Sequence, residues 1–453
     1  MALPFALRLT RAAGLAAALA LFAPAPALVA EPQGLNPDQA RAFAFTLLVE
    51  NRADEAAALA EVLIARDAND REAWLALAQA RSLLGQQDKS LEAARRAWTL
   101  SDTSAQRYAA SLVAARALQA DGALTRAQFW LRRAADVAPN DPMKARAVGE
   151  FRRTRQANPL TTRLNFSVTP SSNINNGARS ERVAGGTISG PSLALSGLAY
   201  EASLRLSYRL PSSGGPSSRL GFSLISKSYT LSDAAKVISP ASKNSDFAFQ
   251  EAELSHLSFW GKDGATALQL RAGSNWSGGA NLSHFGGTTV TRYLRLGARR
   301  QLSFGGGVER IARQDNATRS STNTRLFARW SNGFDNGNRL SLGASVSDAA
   351  SSSAITDHSL AKIDARYSFA DAPMNTQVDL TMALEYRNYH RDLVLFGRRQ
   401  DTTASVGVDV TLKNREYYGF APTVGLSARK TSSTVGLYDS DTVGLRIGLK
   451  SLF

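Results

Sequence analysis

The chain has 453 residues, 53 basic against 38 acidic, a formal net charge of +15, and no cysteine. That length exceeds one ordinary core, and the missing cysteine excludes disulfides, thiolate metal sites and a lipidated N-terminal Cys. The first thirty residues, MALPFALRLTRAAGLAAALALFAPAPALVA, read as a secretory leader. Arg8 and Arg11 precede an apolar run, Ala12–Ala23, and Ala25-Pro26-Ala27 and Ala30 offer small-residue exit points. A spanning helix needs about 20 apolar residues, so this run is too short to be one. The mature chain is therefore expected to leave the cytoplasm.

Residues 31–157 are rich in Ala, Leu and Arg at helical spacing. In REAWLALAQARSLLGQQDKSLEAARRAWTLSD, Trp74, Leu77, Ala78, Gly85, Ser90, Ala94 and Ala97 hold the key positions of a tetratricopeptide repeat. Stepping back 34 residues gives Ala40, Phe43, Ala44, Asn51, Ala56, Ala60 and Leu63. Stepping forward gives Tyr108, Ser111 and Leu112, then, after a three-residue insertion, Gly122, Ala127, Leu131, Ala134 and Pro139. Small residues let paired helices approach and large ones fill the groove. Three repeats plus a capping helix over 142–157 are about the minimum for a stable stack. The concave face of such a stack binds a peptide segment. Helix geometry places Phe45, Leu48, Glu72, Leu75, Gln79 and Arg116 there.

Asn158-Pro159 ends the helical part, and residues 158–453 alternate at period two. In LRLSYRLP, Leu204, Leu206, Tyr208 and Leu210 oppose Arg205, Ser207 and Arg209. In TQVDLTMALEYR, Val378 to Tyr386 on even numbers oppose Asp379, Thr381, Glu385 and Arg387. A soluble sandwich would alternate too. Strands of about ten to thirteen residues, alternating short turns and longer polar loops, and aromatics near strand ends instead predict an outer-membrane barrel. Longer loops are expected near 171–192, 233–246, 277–288, 349–358, 391–400 and 431–440, and the aromatics are Trp260, Trp276, Tyr293, Trp330, Tyr389, Tyr417 and Tyr418. About fourteen strands fit. The expected fold is thus an α-helical TPR solenoid followed by a transmembrane antiparallel β-barrel, with the helices in the periplasm. The last strand, VGLRIGLKSLF, closes on Phe453, a terminal aromatic of the kind that the barrel-assembly machinery reads.

The barrel half carries 33 basic and 22 acidic residues. Parity turns Arg205, Arg209, Arg271, Arg295, Lys362, Arg366, Asp379, Glu385, Arg387, Asp409 and Arg446 inward, either as a salt-bridged wall or as a conduit for polypeptide or anionic solute. No nucleic-acid module is visible. His256, His284, His358 and His390 fall in separate segments, with no HExxH, nucleophile elbow or phosphate loop, so neither catalysis nor a metal or other cofactor is expected; the alternative of a barrel enzyme would need a His beside a Ser on neighbouring strands at the outer leaflet.

The signal, short TPR domain and barrel, with LNFSVTPSSNINNGARSE (164–181) around Asn173-Ile174-Asn175, resemble the surface lipoprotein assembly modifiers (Slam, type XI secretion). The resemblance spans the mature chain. It implies a translocator whose TPR stack engages client lipoproteins, or related secreted haem- or metal-capturing proteins, while the barrel gives passage. Outer-membrane lipids, the assembly machinery and periplasmic chaperones would be further partners. The competing reading is an exopolysaccharide export porin, which also joins TPR units to a barrel; a passive porin would leave the helices unexplained.

Overall fold

The computed structural model describes residues 35–452, apart from 184–185, 213–216, 263–264 and 395. The expected leader, residues 1–30, and Phe453 lie outside the described residues.

Seven helices come first: α1 (Pro37–Val49), α2 (Ala53–Arg66), α3 (Arg71–Leu83), α4 (Gln87–Thr99), α5 (Ser104–Ala120), α6 (Leu124–Asp136) and α7 (Asp141–Ala157). They pair as α1–α2, α3–α4 and α5–α6, and α7 closes the stack. Small residues carry the packing: Ala44, Ala56, Ala60, Ala78, Ala94, Ala97, Ala114, Ala127 and Ala134 have no accessible surface. The turn inside each pair is made at one equivalent residue. Asn51, Gly85 and Gly122 sit there with φ of 61°, 74° and 75°, the left-handed conformation that lets a helix stop and the chain reverse. The three-residue insertion lengthens α5 to 17 residues, against 13 in α1 and α3. Ser90 keeps its place in the core because its hydroxyl donates to the Ala78 carbonyl at 2.7 Å.

The strands follow: β1 (Leu160–Ser171), β2 (Arg182–Val183), β3 (Gly186–Thr187), β4 (Gly197–Arg209), β5 (Ser217–Leu231), β6 (Phe249–Trp260), β7 (Thr266–Ser277), β8 (Ala280–Arg295), β9 (Arg300–Arg313), β10 (Ser321–Gly333), β11 (Arg339–Ser351), β12 (His358–Ala372), β13 (Thr376–Leu393), β14 (Gly397–Leu412), β15 (Phe420–Ser433) and β16 (Ser440–Ser451). β2 and β3 form a small hairpin in the first long loop, and a short helix, α8 (Asp233–Ile238), lies in the second. The other fourteen strands close into one antiparallel barrel, each beside its chain neighbour, with β1 between β4 and β16. Half of the barrel strands have the expected length, at 12 or 13 residues, and the rest run longer, up to 18 in β13.

The barrel is apolar outside and polar inside. Leu164, Leu254, Leu326, Ile363 and Met382 point outward and are exposed, while Asp379, Thr403 and Thr411 face in and are buried. That inversion is the design of an outer-membrane barrel. No described helix is long and apolar enough to cross a membrane.

The long loops, 172–196 and 232–248, lie on the rim away from the helices, here called distal. The loop expected at 277–288 is instead a tight turn at Gly278 and Gly279, with φ of 59° and 84°, and β8 starts at once after it. Tyr389, expected at a membrane interface, is turned inward and buried beneath the Arg399 guanidinium, 4.4 Å from its ring centre.

Candidate functional site

Three regions hold the residues singled out by sequence: the stack's inner face, the lumen, and the loop above β1.

On the stack, Glu72 and Arg116 are exposed, and Gln79 is half-buried. Leu75 is a correction: at 6% exposure it belongs to the core. Phe45 and Leu48 pack against the same core and expose only part of their surface. α1 and α3 carry apolar residues around more than one face, so spacing could not tell an inner wall from a core position.

In the lumen, the expected charges are mostly paired. Arg271 bridges Glu253 (3.1 Å) and Glu309, tying β7 to β6 and β9. Arg329 on β10 reaches Asp364 on β12 at 2.9 Å. Asp379 on β13 is the centre of the densest group: Arg366 (3.3 Å), Lys450 from β16 (3.2 Å) and the Ser368 hydroxyl (2.5 Å) converge on its buried carboxylate. Glu385 takes Lys362 (2.8 Å) and Arg429 (3.6 Å), and Arg446 takes Asp409 (2.5 Å). Pairs such as Arg271–Glu309, Arg329–Asp364, Lys450–Asp379 and Arg446–Asp409 skip strands because the strands of a barrel are staggered. The arc from β12 to β16 is therefore braced across its inner surface. Nearer the distal end, Arg399 holds Asp401 with two hydrogen bonds (2.9 and 2.6 Å), and Arg387 stands opposite Asp401 in the register.

Two of the expected lumen residues serve elsewhere. Arg209 donates to the carbonyls of Gln156 (2.9 Å) and Ala157 (3.1 Å), clasping the end of α7. Arg295 is exposed at the proximal rim, in a cavity shared with Arg299, Arg300 and Arg339.

The Asn-Ile-Asn stretch is a clasp. Asn173 is buried, donating to the Gly177 carbonyl and accepting from the Gly177 amide, both at 2.9 Å. The Asn175 amide nitrogen donates to the carbonyls of Pro191 (2.8 Å) and Leu193 (2.7 Å), while its oxygen accepts from the Leu195 amide (2.9 Å). Ile174 packs with Leu195, Leu231 and Ala235 of α8. Loop 172–196 is thus folded down on itself and on the next loop. A Cβ on Gly177 would meet the Leu193 carbonyl oxygen at 2.2 Å. We expect Gly177→Ala to spring this clasp, with proteolysis of loop 172–196 at least tenfold faster and the barrel intact. Unchanged cleavage would show that the clasp does not need the close approach.

At the proximal end, α6 and α7 sit against the barrel. Arg132 donates to the Tyr418 carbonyl and the Ser451 hydroxyl, both at 2.9 Å, and lies over the rings of Phe151 (4.6 Å) and Phe420 (4.5 Å). Burial pushes its guanidinium down to about 10, so it stays charged at neutral pH. Asp136 accepts from the Tyr418 amide (3.1 Å), and Lys144 pairs with Glu416. With Arg209 on the other flank, the last helices are fixed to β15–β16 on one side and β4 on the other.

The fold also joins residues that sequence kept apart. Near the distal rim, on the outward parity of Val346, Ile363 and Met382, Ser359 Oγ lies 2.8 Å from His390 Nε2, and His390 Nδ1 lies 3.4 Å from Asp357. The same hydroxyl donates to Asp348 at 2.7 Å. A carboxylate at that point would repel the oxyanion that acyl transfer develops. The group reads as a hydrogen-bonded rim network. Among the described residues no cluster of metal-ligating side chains occurs.

No family model matches the sequence, and no curated protein matches it. Solved structures match each half separately. The helical part is similar to PcrH in complex with the chaperone-binding region of PopD: 21% identity over 28% of this chain and 98% of that one, TM-score 0.25. The barrel is similar to an anion-selective porin from Comamonas acidovorans (10% identity, 64% of this chain and 99% of that one, TM-score 0.34). It is also similar to OccK10 of Pseudomonas aeruginosa (14%, 65% and 100%, TM-score 0.34).

Proposed function

We propose that the chain is a Slam-like translocator that takes a client lipoprotein or related secreted protein from the periplasm to the cell surface. The observation that carries this reading is the docking of the helices. A short stack of TPR type, an architecture suited to holding peptide segments, is clamped by Arg132 and Arg209 directly onto the mouth of a polar-lined barrel. A pore alone would need no such attachment. In this reading the leader sends the chain to the periplasm, the proximal rim is periplasmic, and the clasped loops at 172–196 and 232–248 face outside. Barrel assembly would use Phe453, and the protein performs no bond chemistry of its own.

The test is deletion of residues 31–157 with the leader kept. The barrel should still reach the outer membrane and migrate as a heat-modifiable band. Surface exposure of an epitope-tagged lipoprotein that the full-length protein exports should fall at least tenfold. Export at the full-length level would end the protein-binding role.

A further inference from the structure

β1 meets β4 in unbroken register from Leu160–Tyr208 to Ser171–Gly197. On its other edge it meets β16 at Ser167–Gly448, Val168–Ile447 and Ser171–Gly444, and at no further pair among the described residues. Part of this has a simple cause. Pro170 has no N–H, so the pair it would make with Leu445 cannot close. The rest is a true parting of the strands on the proximal side of Ser167.

Alternation decides which peptide groups look into the gap. The Arg209 amide donates to the Pro159 carbonyl, so odd-numbered residues of β1 bond β4 and even-numbered ones turn toward β16. The Ser172 amide donating to the Val443 carbonyl agrees. Thr162 and Leu164 thus aim N–H and C=O into the gap, and neither is paired on that edge with any described residue. Leu164 is level in the register with Leu204 and Leu224, inside the apolar band. The distal end of the same seam is latched: the Arg179 amide donates to the Asp439 carbonyl and its guanidinium pairs with Asp441 at 3.1 Å.

A cavity of about 770 Å³ occupies the gap and runs from α6 and α7 to the lumen. Its carboxylates, Glu201, Asp379 and Asp409, are already ion-paired. Arg155, Arg163 and Arg205 line it with no carboxylate partner among the described residues. Arg163 and Arg205 face the lumen, whereas Leu164 and Phe166 face outward and are exposed.

We propose that this half-open seam is a strand-accepting site. An extended polypeptide segment, acidic on one face and apolar on the other, adds to the edge of β1 at Thr162–Phe166. Its backbone bonds Thr162 and Leu164, its carboxylates meet the three arginines, and its apolar face continues Leu164 and Phe166. The proposal deepens the translocator reading, on which its choice of polypeptide as ligand rests. It places the client's path along β1, beneath the helices.

The test uses the mature full-length protein in detergent and a fluorescent (Val-Glu)4 peptide, followed by anisotropy. Kd should be at least tenfold lower than for (Val-Lys)4 or for the same acidic peptide with alternate residues N-methylated. Leu164→Pro should weaken binding at least tenfold. It leaves the bonds to β4 intact, because the amide it removes faces the gap. Oxidised Asn165→Cys/Lys450→Cys, which staples the seam shut, should block binding, and reductant should restore it. Oxidised Ser331→Cys/Ser341→Cys, on the closed β10–β11 pair where the two hydroxyls are 3.3 Å apart, should change nothing. Equal affinity for the basic or methylated peptide, or full binding by Leu164→Pro, would overturn the proposal. So would displacement of the peptide by phosphatidylglycerol, which would make this an anionic-lipid site. The two readings fail separately: a seam that binds peptide in a protein whose export ignores residues 31–157 ends the client-binding role of the helices alone, and one that binds peptide in a protein that exports no client ends the transport reading alone.

Discussion

Replacing Arg132 with Ala should release the helical stack from the barrel while each half stays folded. The guanidinium makes two charge-assisted hydrogen bonds to the barrel and is held between the rings of Phe151 and Phe420. Charge-assisted bonds contribute roughly 1.5–3 kcal/mol each, and a desolvated cation–ring contact about 2 more. Together they outweigh what remains on that flank, the Asp136–Tyr418 bond and the exposed Lys144–Glu416 pair. A loss of about 5 kcal/mol or more would make an open arrangement common. Trypsin should then cut at Arg152, Arg153 or Arg155 far faster, and amides of α6 and α7 should exchange faster, while the heat-modifiable band is unchanged. Arg132→Lys should fall between, since it keeps the charge but loses the planar fork that serves two acceptors. Cleavage at the native rate in the Ala variant would mean that Arg209 and the rest hold the stack unaided.

The second large effect is expected at Asp379. Its carboxylate is 2% exposed as a residue and is the shared acceptor for Arg366, Lys450 and Ser368. Asp379→Ala leaves two cations close together without their counter-charge. Breaking a buried pair in this way costs about 3–5 kcal/mol, more than the pair adds over an apolar substitute. The barrel should lose its compact form on gels at a clearly lower temperature. Asp379→Ala with Lys450→Ala should recover part of the loss, because one of the stranded charges goes too. If the double variant were no better than the single one, Lys450 would be a bystander.

Much of this was legible in the sequence, for identifiable reasons. The order of helical repeats and barrel followed from periods of 3.6 and 2, and the repeat register even marked Asn51, Gly85 and Gly122 as equivalent. What failed were positions where one residue type serves two environments. Leu75 looked like an inner-face residue because α3 is apolar on both sides. β8 opens with ANLSHFGGTT, whose two large apolar residues, Leu282 and Phe285, fall on opposite parities, so no alternation marked it as strand. Other features were out of reach altogether. The Asp379–Lys450 contact joins residues 71 apart through the stagger of a closed sheet, and Ser359 meets His390 only through the register of β12 on β13. The break beside β1 depends on how two distant ends of the chain meet, and Pro170 was its one sequence trace.

That break has a consequence for the bilayer. Oil cannot solvate bare peptide groups, so lipid tails will not lie flat against Thr162 and Leu164. Water has to follow the chain in from the helix-bearing leaflet, and the membrane should be pinched thinner along this one meridian than around the rest of the circumference. The cylinder would then sit in its membrane with a wet notch on one side, a place where hydrophilic matter can enter sideways at low cost.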